Sequence, residues 1–174
     1  MRWTIILFVL SLFWFPNYAS ADILEEQVTF KIDSKFDVKE REELIASLRA
    51  ISDQLYFYIE DEWWGLLTED QRKQILTNLG GLAANFQQEI YPGITGVFGF
   101  ENRPGIDQDT NITVLVHRMR ENAKGYFNTS DGYTKFEAPR SNEREMMYLS
   151  KEALESELTS SYLAHEFMHL VYLT

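Results

Sequence analysis

Residues 165–169 read His-Glu-Phe-Met-His, and their types and spacing could perform chemistry. Two histidines four positions apart lie about 400° apart around an α-helix, so both imidazoles leave the same face and can reach one metal ion. Glu166 is turned by about 100° from His165, which places its carboxylate beside that ion rather than on it. We therefore predict His165 and His169 as metal ligands and Glu166 as a general base.

The residue types in this motif favour zinc. Neutral imidazoles suit Zn²⁺ better than Ca²⁺ or Mg²⁺, and a chain without cysteine offers only His, Asp and Glu as strong ligands. Zinc lowers the pKa of a bound water to about 7 and polarises a carbonyl group, while a nearby carboxylate moves the proton to the leaving amine. The motif predicts one catalytic Zn²⁺ and hydrolysis of a peptide bond.

A catalytic zinc ion usually has three protein ligands, and this motif supplies two. The longer pattern HExxHxxGxxH is absent, because Tyr172 stands at its glycine position. We expect the third ligand beyond Thr174, in a part of the protein that this chain lacks. His117 is a weaker alternative, since a lone histidine in a strand more often has a structural role.

Two further segments resemble binding sites. Gly125, Tyr126 and Phe127 form a short β-prone island in a polar stretch, and an unpaired edge strand there would offer backbone groups to an extended substrate. An ordinary loop anchor is an equal alternative for this island.

Asp107, Asp109 and Asn111 alternate like the first ligands of a Ca²⁺ loop. The glycine and the distal glutamate of an EF-hand loop are missing, however. The pattern therefore favours Asx turns ahead of a strand over a calcium site.

The beginning of the chain predicts export. Residues 1–21 combine Arg2, a short uncharged apolar run and the sequence Ala-Ser-Ala, which is typical of a signal peptide cleaved after Ala21. Thirteen apolar residues are fewer than the roughly 20 that span a bilayer, so no stable membrane anchor is expected. The net charge of −11 argues against a nucleic-acid partner. We expect a secreted or periplasmic domain over residues 22–174.

Hydrophobic periodicity outlines the elements that must position the motif. Two-residue alternation predicts a strand over 27–32, and three- to four-residue spacing predicts a helix over 38–59. A capping box at Thr68 and Gln71 starts a helix that passes through Gly80-Gly81 and ends at Pro92-Gly93. Strands follow at 111–117 and 145–149, the island lies between them, and a last helix begins near Ser156. The fold class is α+β.

From Glu89 to Val171 the sequence resembles secreted bacterial zincin metallopeptidases of the gluzincin type, such as hyicolysin-like and immune inhibitor A-like peptidases. The resemblance is carried by EIYPGITGVFG, PGIDQDTNITVLVHRM, KGYFNTSDGY, SNEREMMYL and, most specifically, YLAHEFMHL. It implies an N-terminal zincin lobe, a twisted mixed sheet packed with helices and an active-site helix at the end of the chain. It also implies a glutamate as third ligand on a later helix, so the C-terminal lobe is expected to be missing.

Two hypotheses follow from the sequence. The first is an exported zinc-dependent endopeptidase, or an N-terminal fragment of one, acting on protein or peptide substrates. The alternative is a non-catalytic exported binding or interaction domain with an incomplete zincin site.

Overall fold

A computed structural model describes residues 22–173. The predicted signal peptide, residues 1–21, lies outside the described residues. The strands are β1 (Gln27–Lys31), β2 (Glu43–Ile51), β3 (Leu55–Glu60), β4 (Ile112–His117), β5 (Gly125–Tyr126) and β6 (Met146–Ser150). The helices are α1 (Asp61–Gly65), α2 (Glu69–Asn85), α3 (Tyr91–Phe98), α4 (Lys151–Leu154) and α5 (Thr159–Leu173), with a π-helical turn at Phe86–Ile90 and a 3₁₀ turn at Thr129–Gly132.

The six strands form one mixed sheet in the order β1-β2-β3-β4-β6-β5. The central pairs β3–β4 and β4–β6 are parallel, and the outer pairs are antiparallel. Every residue of β3, β4 and β6 is buried, as expected for strands covered on both faces. The α+β class is confirmed, and β5 lies at an edge of the sheet.

The two faces of the sheet bury separate apolar clusters. One face packs Val114 and Val116 against α2, α3 and α5. The other face packs Leu115 with Tyr126 and Tyr148 under the loops that follow β1 and β4. Because side chains alternate along β4, each of its residues faces one cluster or the other. Helix α5, which carries residues 165–169, packs on the face that Val114 and Val116 line.

The prediction of a helix over 38–59 was wrong. This segment forms the hairpin of β2 and β3, which turns at residues 52–54. Leu44, Ala46 and Leu48 are buried at two-residue spacing, whereas Ile45 is 48% exposed. The helical spacing was accidental. The apolar run Leu55–Glu60 supplies a central strand, and tertiary pairing overrides the helix propensity of the residues before it.

The helix that begins at Thr68 is confirmed, but its predicted end is wrong. The Thr68 hydroxyl accepts a hydrogen bond from the Gln71 amide, and the Gln71 side chain accepts one from the Thr68 amide. The chain then continues through the π-helical turn into α3, where Pro92 occupies the first turn. The π-helical turn before Pro92 tolerates the missing N–H of the proline. The helical segment therefore ends only at Gly99, whose φ is 92°.

Candidate active site

Helix α5 presents the motif because its opposite side is anchored in the core. Leu163, Phe167 and Leu170 are almost fully buried. The Phe167 ring stacks on Tyr91 with centroids 5.5 Å apart and meets Phe86 edge-on at 4.9 Å. These contacts fix the rotation of the helix, so His165 and His169 face away from the core.

The two imidazoles converge on one point. The Nε2 atoms of His165 and His169 lie 3.2 Å apart, and the rings are perpendicular with centroids 4.7 Å apart. Two nitrogen ligands at 2.0–2.1 Å from a tetrahedral zinc ion would lie about 3.3 Å apart. The spacing of the two ring nitrogens therefore fits the donor set of such an ion.

Glu166 is largely buried, and its carboxylate borders a cleft. Only 7% of the residue is exposed, and no described residue donates a hydrogen bond to its carboxylate, whose oxygens keep contact with solvent. Burial raises the pKa of Glu166 to about 7, because a carboxylate loses hydration in this position. Such a group can accept and return a proton near neutral pH.

The motif opens onto a cleft whose other wall is the edge strand β5. The cleft has a volume of about 430 Å³ and is lined by Gly125, Tyr126, Phe127, Asn128, Thr129, His165, Glu166, His169 and Leu173. The structure thus brings the predicted island and the predicted catalytic residues together. Glu166 is the acidic residue of this lining.

The register of β5 shows which backbone groups are unpaired. The Lys124 carbonyl accepts a hydrogen bond from the Ser150 amide, and Tyr126 pairs with Tyr148. Because N–H and C=O groups alternate in direction along a strand, those of Gly125 point away from β6. The open edge therefore offers the backbone groups of Gly125 to an extended chain.

A buried polar network holds the loop that follows β5. Asp131 accepts hydrogen bonds from the Tyr148 hydroxyl at 2.6 Å and from the Asn142 amide at 2.9 Å. The Asn142 side chain also donates to the Lys31 carbonyl, which ties the loop to β1. Burial raises the pKa of Asp131 to about 6. These residues carry no motif in the sequence, and only the Asx turn at Asn128 signals their loop.

The structure does not bring His117 to this cleft. Alternation along β4 places its side chain on the face opposite α5, where its ring meets the Tyr126 and Tyr148 rings edge-on. Its Nδ1 lies 3.7 Å from the Asp37 carboxylate, and both residues are fully buried. His117 therefore cannot join His165 and His169 at one ion. Within residues 22–173, no group of three His, Asp or Glu side chains is placed to hold a metal ion.

The segment considered for calcium forms two consecutive Asx turns. The Asp107 carboxylate accepts a hydrogen bond from the Asp109 amide, and the Asp109 carboxylate accepts one from the Asn111 amide. The Asp109 carboxylate also accepts a hydrogen bond from the Tyr56 hydroxyl. These contacts account for the alternation of the three residues through backbone capping.

Comparisons with known proteins identify no relative: no protein-family model matches the chain, and no curated protein matches it. Among the described residues, no helix has both the length and the apolar character needed to cross a bilayer.

Proposed function

We propose that this protein is an exported zinc-dependent endopeptidase of the zincin type, or the N-terminal lobe of one. The observation that carries the proposal is the shared cleft, in which two converging imidazoles, a largely buried carboxylate and an open sheet edge meet. A carboxylate of raised pKa beside two imidazoles in a cleft is typical of catalytic sites, so the combination supports the proposal. The predicted signal peptide supports export.

His165 and His169 would hold the zinc ion through their Nε2 atoms. The ion would supply polarisation of the peptide carbonyl and acidification of a water molecule. Glu166 would take a proton from the attacking water and return it to the nitrogen of the departing amine, so the carboxylate ends the reaction unchanged. No described residue donates a hydrogen bond to its carboxylate, so both oxygens are available for this transfer.

The substrate would lie extended along β5. Its backbone would pair with the outward N–H and C=O groups of Gly125, which adds a strand to the sheet. Such pairing recognises backbone rather than side chains, and it requires a segment that can unfold locally. We therefore expect cleavage within unstructured segments of proteins.

The third zinc ligand is proposed to lie outside residues 22–173, because the described residues contain no third side chain at the imidazole pair. The same observation favours the second candidate function, a non-catalytic exported interaction domain. The two functions differ in metal retention. A catalytic site keeps about one zinc ion per chain after dialysis, whereas an interaction domain keeps none.

The test compares the protein, expressed from its full reading frame, with two variants. Glu166→Gln keeps the size of the side chain but removes the base, so cleavage of a fluorescently labelled unfolded protein should fall by about 10²-fold or more, within the range for general acid–base catalysis. Zinc content should not change. Glu157→Gln is the matched control, because Glu157 is exposed and lies just before α5. Equal cleavage by the wild type and Glu166→Gln would refute the mechanism.

A further inference from the structure

Gly125 stands where the edge strand and the carboxylate of Glu166 come closest. A Cβ atom built on Gly125 would lie 2.9 Å from Glu166 Oε1 and 3.1 Å from Glu166 Cγ. It would also lie 2.8 Å from the Tyr148 carbonyl oxygen. These separations are shorter than normal van der Waals contact, so any side chain at this position forces its neighbours to move.

The conformation of the backbone does not explain this glycine. Gly99 is the glycine with positive φ among the described residues, whereas Gly125 lies in an ordinary paired strand. Glycine normally weakens a strand, because it adds conformational entropy to the unfolded chain and packs no side chain. Two close approaches disfavour a Cβ here, that of the Tyr148 carbonyl oxygen and that of the Glu166 side chain, and the second links this glycine to the cleft.

We propose that Gly125 is a positioning residue: its missing side chain lets the Glu166 carboxylate lie against the backbone of β5, beside the groups that would pair with substrate. This inference rests on the proposed function for its catalytic consequence, but the packing itself does not. A methyl group at residue 125 would move the carboxylate away from the edge strand while leaving His165 and His169 in place, because both imidazoles lie on the exposed side of α5.

The packing is tested by a double-mutant cycle in thermal stability, which needs no activity. Gly125→Ala should lower the Tm of the wild type more than it lowers the Tm of Glu166→Ala, because the second background has no carboxylate to displace. Gly132→Ala is the control, since a Cβ there meets no atom within 4 Å. Equal losses of Tm in the two backgrounds would overturn the proposal, because Tyr148 alone would then account for the steric demand.

If Gly125→Ala does not fold, the folding of the double variant Gly125→Ala/Glu166→Ala tests the proposal instead. Recovery of a folded chain in Gly125→Ala/Glu166→Ala supports the proposal, and its failure to fold refutes it. Circular dichroism of both chains supplies this readout.

The catalytic consequence is tested in the same proteins. Gly125→Ala should lower kcat, by up to about 10²-fold, the loss that a misplacement of about 1 Å can cause, while zinc content stays at the wild-type value. A wild type that retains no zinc and cleaves nothing would refute the proposed function but leave the stability cycle valid. An active wild type with an equally active Gly125→Ala would refute the positioning role alone.

Discussion

Asp131 should make the protein less stable as pH rises from about 4 to 6. The residue is 1% exposed, and burial raises its pKa from 3.8 to about 6. The folded state therefore binds a proton more tightly than the unfolded state does. The stabilisation from this proton is complete below pH 3.8 and is lost as pH rises through 6, so the sign is opposite to that of a salt-bridged carboxylate.

The magnitude follows from the two pKa values. Their separation of roughly 2 units corresponds to about 3 kcal/mol in the free energy of unfolding. Asp131→Asn removes the titration, so the difference in unfolding free energy between wild type and variant isolates it. Between pH 3.8 and pH 6, the wild type should lose about 3 kcal/mol of unfolding free energy relative to Asp131→Asn. Below and above this pH range, the difference between the two proteins should stay constant.

Urea unfolding followed by tryptophan fluorescence at half-unit pH steps measures this difference. Asp70→Asn is the matched control, because it makes the same substitution at a side chain that is 98% exposed. A flat curve for Asp131→Asn would show that the buried network does not perturb this carboxyl. A curve of opposite slope would show that the hydrogen bonds from Tyr148 and Asn142 outweigh burial.

Three further substitutions test contacts that stabilise the fold. Phe167→Ala removes the ring that anchors α5 and should cost about 3–5 kcal/mol in urea unfolding; a loss below 1 kcal/mol would contradict the packing. Arg41→Met leaves the fully buried carboxylates of Asp37 and Glu60 without their shared partner, so the free energy of unfolding should fall by about 3 kcal/mol. An unchanged urea midpoint would show that solvent compensates for the loss of Arg41. Thr68→Ala removes the helix cap and should cost about 1 kcal/mol, with a loss near zero as the contrary result.

The local sequence determined the parts of the molecule that depend on near neighbours. The capping box at Thr68 and the apolar run of β4 both specify their elements within a few residues, and the structure has both. The four-residue spacing of His165 and His169 likewise determines that their imidazoles share one side of α5, because a helix brings such positions together. These features require no knowledge of distant contacts.

Tertiary structure decided what depends on distant partners. Residues 43–60 carry a helical spacing, yet pairing with β1 and β4 makes them strands, since sheet hydrogen bonds come from outside the segment. Tertiary structure also separated His117 from the imidazole pair, because the His117 side chain lies on the face of the sheet opposite α5. The meeting of Gly125 with Glu166, 41 positions apart, arises because α5 packs beside the sheet edge. No periodicity in the sequence encodes that approach, because it depends on how separate elements pack.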